Sequence, residues 1–374
     1  MTGITVLGGG IVGTAAAWDL VRRGYEVIVA DADPDAARRA AATSGARPDT
    51  VDVTAESLIR TLDTTRLVVS CVPYAFGERM LDAAISAGCH YLDLGGNPTV
   101  VARQKAQHAR AVDAGVVAVP DCGLAPGFAN VLAVGAVEAL GDGPIDEVRL
   151  RVGALPAAPT GALRYQLAFN PAGLINEYAE PCEILTGGRY ATVEPLTGIE
   201  TVEWESWGPL EAFHTAGGSS SLTRMWEGRV AELDYKTLRF PGHGHPFRTM
   251  LEIGLFDETP QPGTGTAPRA VLLEALRANL PAGGPDLVLV RVWATATRGG
   301  LRRTVGYEVE DRNDDTFTAL SRTTAFPTTA LAHLILTGTV SDPGVRTMDE
   351  TVGPDLLLPE LEQVGIEVKE LRSA

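Results

Sequence analysis

The stretch Val6-Leu7-Gly8-Gly9-Gly10-Ile11-Val12-Gly13 decides the architecture of this chain. An apolar run, Ile4 to Leu7, leads into it, and an alanine-rich amphipathic run, Ala15 to Arg23, leads out of it. That is a strand, a glycine turn and a helix. The glycines fall in the spacing G-x-G-x-x-G, and each has a physical task. Gly8 permits the tight turn, Gly10 lets the backbone approach a pyrophosphate, and Gly13 allows the helix to pack closely. The opening helix turn, at Ile11, Val12 and Gly13, offers free N–H groups and a positive dipole end to phosphates. We therefore read Gly8, Gly10, Ile11, Val12 and Gly13 as a dinucleotide-binding turn.

An acidic residue at the end of the next strand supports this reading. Asp31, in Val27-Ile28-Val29-Ala30-Asp31-Ala32-Asp33, follows Gly8 by 23 positions. A carboxylate at about 20 residues' distance binds the adenosine ribose hydroxyls. It also repels a 2′-phosphate, and no arginine follows at once to receive one, so NAD is expected over NADP. Asp33, followed by Pro34, reads as a helix N-cap. The turn Cys71-Val72-Pro73, closing the fourth strand, is expected near the nicotinamide ribose, because ligands sit off the carboxyl ends of such strands. Cys71 itself reads as a packed thiol in preference to a nucleophile.

Outward from the turn, strand-like runs recur at Glu26 to Ala30, Thr50 to Val53, Leu67 to Val72, Tyr91 to Leu94 and Val116 to Val119. Helical runs separate them at Ala36 to Ser44, Glu78 to Ala87 and Val100 to Ala114. The pattern predicts an α/β fold, an N-terminal Rossmann domain with a doubly wound parallel sheet. After Pro120 the texture changes. A helix is expected from about Phe128 to Leu140, then strand-rich sequence with polar loops to about Phe326. Alternation in Glu147 to Val152 and Leu287 to Ala296 suggests an open sheet with one solvated face. Helices return at Thr328 to Thr337 and around Glu360 to Val364. We expect residues 1–125 with 327–374 to form the dinucleotide-binding domain. Residues 126–326 would form an inserted α+β substrate-binding domain.

Two domains also suit a length of 374 residues. With 45% hydrophobic and 21% charged residues the composition is that of a globular protein. A net charge of −16 argues against nucleic acid or an acidic membrane surface as partner. Cys71, Cys89, Cys122 and Cys182 show no metal-like spacing, so we expect reduced thiols and no metal. No apolar run approaches the roughly 20 residues that span a bilayer. No basic, cleavable leader is evident, and a cytoplasmic enzyme is expected.

Val119-Pro120-Asp121-Cys122-Gly123-Leu124-Ala125-Pro126-Gly127-Phe128 resembles the saccharopine dehydrogenase-like superfamily, and within it the lysine 6-dehydrogenases. Phe169-Asn170-Pro171-Ala172-Gly173-Leu174-Ile175-Asn176-Glu177-Tyr178, His214-Thr215-Ala216-Gly217-Gly218 and Tyr235-Lys236-Thr237-Leu238-Arg239-Phe240-Pro241-Gly242-His243 extend the resemblance over most of the chain. It implies a homodimer, adding a role in dimerisation to the inserted domain 126–326, and oxidation at an amine-bearing carbon. In the lysine-specific enzymes the ε-amine of L-lysine is oxidised with NAD, and ammonia is released. The product, 2-aminoadipate 6-semialdehyde, closes to a cyclic imine.

That chemistry needs a base for the substrate ammonium and a fixed cation for the α-carboxylate. Asp121, at the end of the sixth strand, is the first candidate for a catalytic carboxylate. The alternative is a hydrogen bond to the Gly123-Leu124-Ala125 turn. Cys122 beside it contacts substrate or is simply packed. Arg239 is the candidate for the carboxylate, as the resemblance also implies. Lys236, read in a loop, is a general base only if burial lowers its pKa. His214 and His243 are suited to proton transfer, His243 on a turn that would project it into a cleft. Asn170, Glu177 and Thr215 flank the expected substrate site. Glu177 would hold a cationic amine, with helix capping and surface solvation as the plain alternatives. A saccharopine-like or carboxynorspermidine-like reductase joining an amine to an aldehyde remains open. So do a cyclodeaminase with tightly bound NAD and a non-catalytic NAD-binding regulator.

Overall fold

Apolar strands alternating with alanine-rich helices close into a parallel sheet, because such strands bury both faces only when helices cover them. The computed structural model describes residues 3–55 and 57–373. Its first compact unit comprises Met1–Gly135 with Ser321–Glu367, its second Ala136–Leu320 with Val368–Ala374. In the first, β1 (Gly3–Leu7), β2 (Val27–Asp31), β3 (Arg47–Thr50), β4 (Thr65–Ser70), β5 (His90–Asp93) and β6 (Val117–Val119) join a short strand, Gly344–Val345. The sheet order is Gly344–Val345, β6, β5, β4, β1, β2, β3, with every pair parallel. Strand order reverses about β1, so the carboxyl ends of β1 and β4 form the topological switch point. Helices α1 (Ile11–Arg22) and α2 (Pro34–Ser44) follow β1 and β2. Leu7, Val68, Met80, Leu81, Tyr91 and Ala118 are fully buried together in the core.

Local differences from the sequence reading have simple causes. The strand expected at Thr50 to Val53 lies at Arg47–Thr50, a polar edge, while Val51 and Val53 drop from the loop into the core. The helix expected over Val100 to Ala114 divides into Pro98–Lys105 and His108–Asp113. Pro327, taken as a boundary, sits inside the longer helix Ala319–Leu336.

The second unit is built on a nine-stranded sheet. Its path runs Glu200–Trp204, Gly208–His214, Val230–Arg239, Ile145–Pro156, Asp286–Arg298, Leu301–Arg312 and Lys369–Ser373. Val230–Arg239 and Ile145–Pro156 are parallel; the other neighbours on the path are antiparallel. Cys182–Thr186 and Arg189–Val193 branch from it. The two stretches read as half-solvated, in Ile145–Pro156 and Asp286–Arg298, are instead interior strands buried over most of their length. Helices Gly244–Glu252 and Pro268–Asn279, absent from the sequence reading, contribute Phe247, Leu272 and Leu276 to an aromatic-rich core with Tyr165, Tyr178 and Phe213. The closing strand Lys369–Ser373 pairs with Leu301–Arg312, not with the parallel sheet. Among the described residues no helix is long and apolar enough to cross a membrane.

Candidate functional site

At the switch point of the first unit the three glycines differ as their tasks require. Gly8 has φ +102°, and a Cβ there would lie 2.8 Å from the Cys71 carbonyl oxygen. A Cβ on Gly13 would lie 1.8 Å from the Gly8 oxygen, so only glycine lets α1 pack against the turn. At Gly10 the same atom would meet nothing within 4 Å. Open space therefore lies in front of the helix. Gly10 caps α1 without a side-chain bond, and no acidic residue occupies the first turn. The backbone N–H groups of Ile11, Val12 and Gly13 keep their dipole for an external anion. Asp31 ties the turn to β2: Gly9 N–H donates to its Oδ2 at 2.7 Å and Asp33 N–H to its Oδ1 at 2.9 Å. Each oxygen retains a second lone pair for a sugar hydroxyl. Asp33 caps α2, accepting from the Asp35 N–H. These residues fit a dinucleotide.

Cys71 forms the floor of this turn, its N–H donating to the Leu7 carbonyl at 2.7 Å. Burial, with Asp93 nearby, pushes its thiol up to about 12, so no thiolate nucleophile is present near neutral pH. Val72 packs against the core, and exposed Pro73 precedes a single turn of helix at Tyr74–Phe76.

The carboxyl ends of β5 and β6 interlock through two acids. Asp93, a residue the sequence reading missed, is buried. Its Oδ1 accepts from the N–H groups of Gly95 (2.8 Å) and Asp121 (3.3 Å). Its Oδ2 accepts from the Tyr91 hydroxyl (2.7 Å) and the Gln104 amide (2.6 Å). Desolvation holds its pKa above the usual carboxylate value despite these donors. The signal available was Asp93-Leu94-Gly95-Gly96, an acid and a glycine pair after a strand. Asp121 is 3% exposed and sits at φ +58°, a backbone conformation uncommon outside glycine. Its Oδ1 accepts from Gly96 N–H at 3.2 Å. A Cβ on Gly95 would lie 1.7 Å from that oxygen. Asp121 thus ties the carboxyl end of β6 to the turn that follows β5. Cys122, offered as a catalytic candidate, is fully buried and donates to the Val119 carbonyl at 3.1 Å. Burial raises its pKa well above the ordinary thiol value, with Asp93, Asp121 and Asp349 adding to the rise. It is a packed thiol. Gly127 (φ +127°) closes the motif, for a Cβ there would lie 2.3 Å from the Gly123 oxygen.

In the second unit the strand Val230–Arg239 sorts the remaining candidates by alternation, since successive side chains leave a strand on opposite faces. Tyr235, Thr237 and Arg239 share one face with Phe213, which lies opposite Thr237 in the neighbouring strand. Arg239 is 4% exposed. Its Nε donates to the Tyr178 hydroxyl at 3.0 Å and its Nη1 to the Leu238 carbonyl at 3.0 Å, while Tyr165 lies under the guanidinium at 5.2 Å. Nη2 has no hydrogen-bond partner among the described residues. The Tyr178 hydroxyl also lies 3.0 Å from His243 Nε2, and His243 Nδ1 lies 2.9 Å from the Leu163 carbonyl. His243 is no exposed turn residue: it is fully buried at the start of helix Gly244–Glu252. Burial, aided by the charge of Arg239, pushes its pKa down to about 3.

Glu177 ends the helix Pro171–Glu177, its carbonyl accepting from Ala216 N–H at 2.9 Å. Its partly exposed carboxyl makes no hydrogen bond or ion pair among the described residues. Desolvation pushes it up to about 7, against the opposing pull of Arg239. Asn170 is accounted for as the N-cap of that helix, accepting from Ala172 N–H at 3.0 Å. Thr215 pairs with Thr237, hydroxyl to hydroxyl, at 2.7 Å. Gly218 is pressed against the Tyr235 ring, 2.4 Å from where its Cβ would be.

Lys236 and His214 face the other way, opposite each other in register. Lys236 is not a loop residue with a free amine. Its Nζ donates to the Gly198 carbonyl (2.7 Å) and to Glu200 (3.0 Å). Glu200 and Asp234 also bind Arg151, and Asp234 binds Arg149. Burial lowers the pKa of His214, and its buried Nδ1 has no hydrogen-bond partner among the described residues. The structure therefore brings Arg239, Glu177, His243 and Thr215 together and separates Lys236 and His214 from them.

Residues 4–119 match the family Saccharopine dehydrogenase NADP binding domain, and residues 123–366 match Saccharopine dehydrogenase C-terminal domain. Among solved structures, the chain is similar to apo saccharopine dehydrogenase (L-Glu forming) from Saccharomyces cerevisiae. The two are 16% identical, with 100% of each chain covered and a TM-score of 0.82. GenD2 from gentamicin A biosynthesis, in complex with NAD, is 15% identical over 100% of this chain and 96% of its own, with a TM-score of 0.41. Dehydrogenase (MviM) from Clostridium difficile is 7% identical over 97% and 98%, with a TM-score of 0.40. The first likeness establishes a shared fold; the other two are too loose to carry an argument.

Proposed function

The chain belongs to the saccharopine dehydrogenase family of NAD(P)-dependent oxidoreductases, and on that premise we propose that it oxidatively deaminates an amino-acid side-chain amine with NAD. The substrate in this reading is L-lysine. The products are ammonia and 2-aminoadipate 6-semialdehyde, which closes to a cyclic imine.

One observation carries the reading: Arg239, buried with Nη2 uncommitted, lies within electrostatic reach of Glu177, whose carboxyl is pushed up to about 7. A guanidinium is the natural anchor for an α-carboxylate. A carboxyl that titrates near neutrality is matched to taking a proton from an ammonium. Bound NAD supplies the hydride acceptor. Glu177 removes a proton from the ε-ammonium, freeing the nitrogen lone pair that drives hydride from the adjacent carbon. After water adds to the resulting iminium, Glu177 returns the proton to departing ammonia. Arg239 holds the far end of the substrate throughout. Gly8, Gly10 and Gly13 shape the phosphate turn, with the N–H groups of Ile11 and Val12 directed to it and Asp31 beside the adenosine ribose. Asp31 favours NAD over NADP by repelling a 2′-phosphate, and fluorescence titration should find tighter binding of NADH than of NADPH. The resemblance also leads us to propose a homodimer.

The test is a screen of amino acids and diamines with NAD, following NADH and ammonia together. Equimolar NADH and ammonia from L-lysine are expected. Product without net NADH would indicate a cyclodeaminase, and no turnover of L-lysine would remove the substrate assignment.

A further inference from the structure

We propose that Tyr178 and His243 are positioning residues that aim the free edge of Arg239 at the substrate carboxylate. This rests on Arg239 being the carboxylate site. The argument follows one proton along a buried line. The Leu163 carbonyl can only accept, so His243 Nδ1, 2.9 Å away, carries the ring proton. Nε2 is then an acceptor, and the Tyr178 hydroxyl donates to it at 3.0 Å. With its single proton committed, the hydroxyl presents lone pairs to Arg239 Nε, also at 3.0 Å. Every bond in the series Arg239, Tyr178, His243, Leu163 runs in one direction.

The surroundings keep it so. Phe213 and Phe247 stack on the imidazole with ring centroids at 6.2 and 4.7 Å, and Tyr165 meets it edge-on at 5.1 Å. Protonating the ring would put a second cation near Arg239 inside this apolar cage, and the charged and titratable groups around it are Arg239, Tyr165, Tyr178 and, through Arg239, Glu177. A protonated ring would also make Nε2 a donor, so the Tyr178 hydroxyl would have to accept from both Nε2 and Arg239 Nε and its own proton would lose the acceptor that now fixes it. The neutral imidazole prevents this. With Nε fixed by Tyr178 and Nη1 by the Leu238 carbonyl, the guanidinium plane cannot turn, and Nη2 stays available.

Calorimetric titration of the NADH-loaded protein with L-lysine and with 1,5-diaminopentane tests this without requiring turnover. Tyr178→Phe, which removes one oxygen, should weaken L-lysine binding by about 10- to 100-fold and leave the diamine within about threefold, as expected for a lost hydrogen bond to a charged group. His243→Leu should do the same, while His243→Gln, whose amide oxygen can accept from Tyr178, should recover most of the affinity. If Tyr178→Phe and His243→Leu leave L-lysine binding unchanged while Arg239→Ala abolishes it, the positioning role is wrong and the carboxylate site stands. If Arg239→Ala itself weakens both ligands equally, or neither, the carboxylate site falls and this inference with it.

Discussion

The two faces of the strand Val230–Arg239 make an instructive contrast. On one, Lys236 and Asp234 are neutralised by Glu200, Arg151 and Arg149, so each charge has a partner. On the other, among the described residues, Arg239 keeps one nitrogen uncommitted and Glu177 stands near it with no ion pair. The charged residues are of similar type, and Lys236 and Arg239 lie only three positions apart in one strand. What differs is satisfaction. A network whose members are paired stabilises the sheet, whereas a buried cation with a spare donor and a carboxyl near neutrality are poised for a ligand. Residue type alone does not separate the two.

The sharpest way to break that contrast is Glu177→Gln. In the wild type, kcat/KM for L-lysine should rise with pH through about 7 as Glu177 loses its proton. The variant should lose that limb and, above it, fall by about 100- to 10,000-fold, the usual share of a general base. A surviving limb in the pH–rate profile would acquit Glu177. Carried to the first unit, the same logic applies to backbone. Gly10→Val fills space that is open in front of α1, so NADH affinity should drop at least about tenfold, the effect of roughly one to two lost phosphate hydrogen bonds. The melting temperature should hardly change. Gly13→Ala, by contrast, drives a Cβ into the Gly8 oxygen and should disturb folding.

The smallest effect is on stability against pH. His243 has a folded pKa pushed down to about 3 from an ordinary 6.5, so the native state binds fewer protons than the unfolded one between those values. Its contribution is complete above about 6.5 and is lost progressively as the pH falls toward 3. Denaturant titrations from pH 7 to 4 should show a slope that is shallower in His243→Gln. Equal slopes would mean the imidazole is not held neutral by the fold.

How much of this was legible in the sequence depends on how each site is made. The dinucleotide turn was readable because consecutive residues, Gly8 to Gly13, build it from backbone, and spacing alone states the geometry. Asp31 and the N-cap Asp33 follow from the same local logic. The proposed substrate side is assembled from three separated segments, around Leu163 to Tyr178, Phe213 to Gly218 and Tyr235 to His243. The sequence named most of its members without arranging them. Taking Lys236 as a loop residue hid the alternation that sends it away from Arg239. Cys122 drew notice by sitting beside Asp121, although the surrounding glycines, Gly123 and Gly127, mark a backbone knot in which a thiol is buried. Tyr165 was invisible as a neighbour of His243, because nothing local links a loop to that distant helix start, and Phe247, four positions after His243, escaped because the helix Gly244–Glu252 was absent from the sequence reading.

The most direct test of the division sets Arg239→Ala beside Lys236→Met, measuring kcat/KM for L-lysine and melting temperature in both. Arg239→Ala should lose about 100- to 1,000-fold in kcat/KM, as when one partner of a buried charged contact is removed. Lys236→Met should stay within about threefold while its melting temperature falls by a few degrees, about 1 kcal/mol for a lost, partly buried ion pair. Lys236→Met losing activity as heavily as Arg239→Ala, at an unchanged melting temperature, would contradict the account.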